Sequence, residues 1–231
     1  MLTLAIDTAT KVCSVALCDN EKIIGEYSID AGMTHSDGLL PQIMQMLERS
    51  KVNKDELELL AVSTGPGSFT GLRIGVATME ALAYSLEIPL IGVSTLQALA
   101  YNLSLTGFRL IPLLDAQKGN FYAAAYEWED NILNKKANVA VWSADEVINY
   151  AKSSASKVLL LGECLKLSEK IAVNNIGIVP ENLRLPKASS VALLGVHNFL
   201  KGDRETAFLT NLEYIRRSEA EELWEKRCQK S

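Results

Sequence analysis

Gly65-Pro66-Gly67-Ser68-Phe69-Thr70-Gly71-Leu72-Arg73 decides how this chain is read. An apolar, strand-like run, Leu59 to Thr64, leads into it, and a helical pattern ending near Leu86 follows. A strand that passes through a glycine-rich turn into a helix aims backbone N–H groups and the positive end of the helix dipole at one point. Glycine lets the backbone come close to whatever lies there. The loop is not a Walker A motif, because no Gly-Lys-Ser/Thr ends it. Nor is it a dinucleotide fingerprint, because Thr70 stands where the third glycine belongs. On geometry alone two readings stay open: a site for an anion or a partner's backbone, or a tight turn that only packs.

Working outward, strands and helices alternate. Leu2–Ile6, Ser14–Cys18 and Ile23–Tyr27 read as short strands, with turn residues at Asp19-Asn20. From Thr34 to Arg49 apolar residues recur at helical spacing, with Pro41 predicting an irregular first turn or a kink. Asn53 with Glu56 caps a short turn, and Pro89–Val93 is a strand. Ser94 with Gln97 has the form of a capping box opening a helix to about Leu103. After a joint at Thr106-Gly107 the pattern restarts: Leu110–Asp115 ends in an aspartate as Leu4–Asp7 does, and Phe121–Tyr126 follows as Ser14–Cys18 does. Two related halves, 1–105 and 106–231, are the expectation. Ser143 with Glu146 caps a later helix, Lys157–Leu161 is a buried strand, Ser189–Leu200 is helical, and Ser218–Lys230 has the charge order of a helix. The class is α/β.

Composition narrows the function. A chain of 231 residues with 48% hydrophobic content can bury a large core. A net charge of −5 argues against a protein whose main task is gripping a phosphate backbone. Asp7 interrupts the apolar start with no preceding Lys or Arg, so a secretory signal is not expected. No apolar run approaches the ~20 residues of a membrane helix. Cys13, Cys18, Cys164 and Cys228 form no Cys-x-x-Cys pair and read as reduced thiols of a cytoplasmic protein.

Taken together, several segments resemble the TsaB (YeaZ) family of tRNA threonylcarbamoyladenosine biosynthesis, a glycoprotease-like branch of the actin and sugar-kinase superfamily. They are Ala5-Ile6-Asp7-Thr8-Ala9-Thr10, His35-Ser36 with Leu39-Leu40-Pro41, Gly65 to Gly75, Gly92-Val93-Ser94-Thr95-Leu96, Asp115-Ala116 and Tyr214-Ile215-Arg216-Arg217. The resemblance spans the chain and is weakest from about Leu133 to Val191. It implies two similar actin-like (ribonuclease H-like) halves, each a mixed sheet flanked by helices. It also implies a non-catalytic subunit that binds and activates the catalytic paralogue TsaD. TsaD would move a threonylcarbamoyl group from its adenylate to N6 of adenosine 37 in tRNAs reading codons that begin with A. TsaE, a P-loop ATPase, is the implied third protein, tRNA is met through the complex, and the isolated chain can form a homodimer.

Three kinds of chemistry compete with that reading. The superfamily's phosphate turn is Asp-Gly-Thr; here Ala9 replaces the glycine of Asp7-Thr8-Ala9-Thr10, which restricts close approach to a phosphate. Asp7, Thr8, Thr10 and Asp115 are the candidate contacts for a nucleotide or magnesium, although Asp7 and Asp115 read more readily as carboxylates closing their own turns. ATP or ADP at a subunit junction or on TsaE is the expectation, with no cofactor of the chain's own. For a metal, TsaD carries histidines at i and i+4 on one helix, whereas here His35 is followed four residues on by Leu39, and His197 lies on another helix. A peptidase would need a base and an orienting group beside Ser68, and nothing in the sequence places His35 or His197 there. Ser68 and Thr70 read as helix caps. Peptidase and small-molecule kinase remain the alternatives.

The helices then carry the expected function. Gly71 and Gly75, one turn apart, suit a close helix approach, with Ile74, Thr78, Leu82 and Ser85 on nearly the same stripe. On the earlier helix Leu40, Ile43 and Leu47 suit a core, leaving Leu39, Gln42 and Met46 off it. A fully buried helix explains these patterns equally well. The resemblance favours a partner face of His35, Leu39, Gln42, Met46, Gly71, Ile74, Gly75, Thr78 and Leu82. Gly65, Pro66, Gly67, Ser68, Phe69, Thr70 and Arg73 then form the supporting loop.

Overall fold

A computed structural model describes residues 1–30, 35–171 and 175–202. Two five-stranded sheets organise it. The first contains β1 (Leu2–Asp7), β2 (Cys13–Asp19), β3 (Lys22–Ile29), β4 (Leu59–Gly65) and β5 (Leu90–Ser94), ordered β3-β2-β1-β4-β5. The second contains β6 (Phe108–Asp115), β7 (Asn120–Glu129), β8 (Ile132–Ser143), β9 (Lys157–Gly162) and β10 (Ile176–Ile178), ordered β8-β7-β6-β9-β10. The two orders are the same. In each sheet the first three strands form an antiparallel meander, and the last two join the first in parallel. The aspartate-ended repeat is therefore a true duplication of topology.

Strand alternation assigns the layers. Leu4, Ile6, Leu60 and Val62 face α1 (His35–Ser50) and α2 (Phe69–Leu86), meeting Leu39, Ile43, Met46, Leu72, Val76 and Met79. The opposite face presents Ala5, Ala61, Ile91 and Val93 to Val191, Ala192 and Leu194 of α5 (Ala188–Leu200). Small side chains on that face let α5 lie close: a Cβ on Gly195 would stand 2.7 Å from that of Ala61. In the second sheet, α4 (Ala144–Ser153) covers Ile111, Leu113, Phe121 and Leu160. On its other face, Leu96, Leu99 and Ala100 of α3 (Thr95–Tyr101) meet Leu110, Tyr126 and Leu161. A helix following the first sheet thus covers the second, and one following the second covers the first.

α1 contains the exposed Pro41, and the structure departs from the sequence reading in three places. The Ser94–Gln97 capping box does not form, because Ser94 is still paired in β5 opposite Gly65 and its hydroxyl makes no cap bond. β8 escapes periodicity analysis because it is an irregular edge strand, entered through a turn with positive φ at Asp130 and Asn131. α2 begins at Phe69, before Gly71. The capping boxes at Asn53/Glu56 and Ser143/Glu146 do form. The Tyr214–Arg217 motif and the Ser218–Lys230 segment lie outside the described residues.

Candidate functional site

The glycine loop folds onto the turn after β1. Asp7 ends its strand with Oδ1 accepting from Ala9 N at 3.0 Å, which closes the turn on itself. Ser68 N donates to Ala9 O at 2.7 Å, while Ser68 Oγ accepts from Gly71 N at 3.2 Å and caps α2. Thr8 Oγ1 donates to Gly71 O at 2.8 Å. His35 Nε2 lies 2.8 Å from Thr10 O, so that ring nitrogen carries the proton and donates. Turn, loop and the starts of α1 and α2 form one knot.

Both helix glycines serve this knot. A Cβ on Gly71 would collide with Thr8 O, and one on Gly75 with Thr8 Oγ1. They admit the Thr8 turn, which corrects the expectation that they clear space for a partner's helix. Gly67 answers the same need, since its Cβ would stand 2.5 Å from Ala9 O. Thr70 and Arg73 face outward, with the Arg73 guanidinium 4.0 Å from the centre of the Phe69 ring. Pro66 is buried behind a cis Gly65–Pro66 bond.

Electrostatically, Asp7 is the unusual member. It is 1% exposed, and burial raises its pKa to about 6 against the weaker opposing pull of Ala9 N, Ser63 and His35. Among the described residues, Asp7 Oδ2 and His35 Nδ1 are buried without a hydrogen-bond partner, as is Ser63 Oγ. Burial, and next the neighbouring Asp7, pushes the Cys13 thiol up to about 11, so it stays protonated. In the second half Asp115 repeats the turn bond, its Oδ1 accepting from Gln117 N at 2.8 Å. There Oδ2 also pairs with Lys166 Nζ at 2.7 Å, and that bond holds the carboxyl below its ordinary range. Gly65 and Gly162 end the equivalent strands β4 and β9 with φ of 121° and 81°, where glycine is favoured.

The polar side chains nearest Gly71 are tied to backbone. His35 and Ser68 both lie near the position that a Cβ on Gly71 would take, at 3.1 and 3.3 Å, a juxtaposition that the sequence did not suggest. Yet Ser68 Oγ is bonded to Gly71 N, and the protonated nitrogen of His35 is bonded to Thr10 O. Neither arrangement activates a nucleophile. Among the described residues no group of three or more His, Cys, Asp and Glu side chains is placed to hold a metal ion. His197 is exposed on α5. No helix among the described residues is long and apolar enough to cross a membrane.

The outer helix faces differ from the expectation for α1. Leu39 and Met46 are core residues, 1% and 2% exposed, whereas Leu40 and Met44 point outward at 50% and 64%. Gly25 of β3 makes room for this phase: a Cβ there would stand 2.9 Å from Met46 Sδ, so Met46 seats against bare backbone. Gln42, Ile74, Thr78 and Leu82 are half-buried, and Tyr84 at the far end of α2 is 90% exposed. Leu40 and Met44 were missed because α1 is apolar on more than one side, so its own pattern does not say which side meets the sheet.

Comparison with known proteins agrees with this architecture. The family described as "TsaD: tRNA N6-adenosine threonylcarbamoyltransferase" matches residues 29–224. The tRNA threonylcarbamoyladenosine biosynthesis protein TsaB of Bacillus subtilis (strain 168) is 30% identical over 230 residues, covering 97% of this chain and 98% of its own length. TsaB of Escherichia coli (strain K12) is 34% identical over 148 residues, 63% of this chain and 60% of its own. The solved structure of YeaZ from Pseudomonas aeruginosa superposes with a TM-score of 0.77 at 25% identity, over 89% of this chain and 95% of that one. The ADPNP-bound activator of 2-hydroxyisocaproyl-CoA dehydratase from Clostridium difficile shares the fold alone, with a TM-score of 0.51 at 13% identity over 90% of this chain and 99% of that one. With a duplicated actin-like architecture and an end-to-end relative of that name, this chain belongs to the TsaB (YeaZ) family of tRNA threonylcarbamoyladenosine biosynthesis proteins.

Proposed function

We propose that this chain is a non-catalytic subunit that docks TsaD on the outer faces of α1 and α2 and favours its active conformation. TsaD then transfers the threonylcarbamoyl group from threonylcarbamoyl-adenylate to N6 of adenosine 37 in tRNAs reading codons that begin with A. TsaE is the third protein, and ATP or ADP is held at the subunit junction or by TsaE. The carrying observation is the exposed apolar pair Leu40 and Met44, one turn apart on α1. Apolar side chains in that arrangement suit a helix-packing partner. The self-closed Asp7 turn supports the non-catalytic role, since the N–H of Ala9 and its carbonyl are both already used. Activation then works by differential affinity: the subunit binds one state of TsaD more tightly and raises its population.

The test is reconstitution with purified TsaD, TsaE, tRNA and the adenylate donor, each omitted in turn, with modified adenosine as the readout. Leu40→Glu and Met44→Glu should abolish co-purification with TsaD while leaving the monomer's thermal unfolding near that of the unaltered chain. Turnover by this chain alone, or full complex formation by both variants, would remove the proposal.

A further inference from the structure

The docking face is built from two helices whose starts are tied to the Asp7–Thr10 turn. Thr8 Oγ1 holds Gly71 O of α2, Thr10 O holds His35 Nε2 of α1, and Ala9 O holds Ser68 N just before α2. The bond from Ala9 N to Asp7 Oδ1 makes the turn itself rigid. All four bonds lie beneath the helix starts, at buried or half-buried residues apart from exposed Ser68, and none uses the outward Leu40, Met44 or Tyr84.

We propose that this turn is a latch, with Thr8 and His35 as positioning residues that set the relative pitch of α1 and α2 and so govern affinity for TsaD without touching it. The inference rests on the docking reading above. Leverage is the physical reason. Tyr84 lies 13 residues beyond Gly71, about 20 Å along the helix at the usual rise, so a tilt of about 5° at the latch moves it by roughly 1.7 Å. A packed helix interface depends on close shape matching, and a shift of that size spoils it. Loss of one tie leaves the chain folded, because the sheet-facing residues of both helices keep their core contacts, while the helix starts lose the pin that sets their fine angle.

Thr8→Val keeps the shape and removes the hydroxyl, whereas Thr8→Ser keeps the hydroxyl. Binding of purified TsaD is measured by titration calorimetry at a temperature where every variant is folded by circular dichroism. Thr8→Val should bind roughly tenfold more weakly, and Thr8→Ser within about twofold of the unaltered chain. His35→Leu and His35→Gln form a second pair, since a glutamine amide can still donate to Thr10 O, and they serve if Thr8→Val does not fold. Met44→Glu runs alongside as the surface control. Weak binding by Met44→Glu with full affinity in Thr8→Val and His35→Leu overturns the latch and leaves the docking face intact. Full affinity in Met44→Glu overturns the docking face and the latch with it. Equal losses in Thr8→Val and Thr8→Ser also overturn the latch, because the hydroxyl would then not matter.

Discussion

Replacing Asp7 with asparagine should stabilise this protein at neutral pH. The side chain is 1% exposed, its Oδ2 has no hydrogen-bond partner among the described residues, and burial raises its pKa from 3.8 to about 6. A carboxyl whose folded pKa lies above its unfolded value binds its proton more tightly in the folded state. Stability from this group is therefore greatest below about pH 4, falls between about pH 4 and 6, and is level above that. The difference between 6 and 3.8 corresponds to about 3 kcal/mol. The amide introduced by Asp7→Asn keeps an oxygen for the bond from Ala9 N and carries no charge. Urea unfolding of both proteins at half-unit steps from pH 4 to 8 isolates the effect, because other carboxylates cancel in the difference. The advantage of D7N should grow by about 3 kcal/mol between about pH 4 and 6 and stay level from there to pH 8, which is roughly 6–12 °C in Tm at neutral pH. A flat difference, or one that turns against D7N as pH rises, would show that the Asp7 carboxylate has an ionic partner and that the burial argument is wrong.

Other outcomes follow from the same contacts. Gly71→Ala should destabilise more than Gly75→Ala in denaturant titrations, each by about 1–3 kcal/mol or more, because the first meets the immovable carbonyl of Thr8 and the second its side-chain hydroxyl. Equal costs would mean that the turn relaxes. In the second half Arg109 Nε lies 2.6 Å from Glu127 and its Nη1 donates to the Tyr150 hydroxyl. Burial raises the Glu127 carboxyl, but the bonds from Arg109 and Ser156 outweigh it and leave it below the ordinary range. Arg109→Met should cost roughly 1–2 kcal/mol at pH 7, because the pair is partly exposed and Lys136 still lies 3.9 Å from Glu127, with the loss shrinking as pH falls through the carboxylate range. A double variant with Glu127→Leu should recover part of it, and strict additivity would argue against coupling.

Much was legible in the sequence because it depends on neighbours along the chain. Alternating apolar strands, the Asn53/Glu56 and Ser143/Glu146 caps, the glycine loop and the aspartate-ended strand each express a local rule, and repetition of the last revealed the duplicated architecture. What tertiary structure alone decided was orientation. Packing on the first sheet, with room for Met46 over Gly25, places Leu39 and Met46 inward and Leu40 and Met44 outward, and Thr8 explains two glycines whose spacing pointed to a helix partner. The exchange of α3 and α5 between the sheets is likewise set by which faces lack cover once the strands have paired. Periodicity shows that a helix has a buried face, but where two sides are both apolar, the surface it meets determines which one is buried.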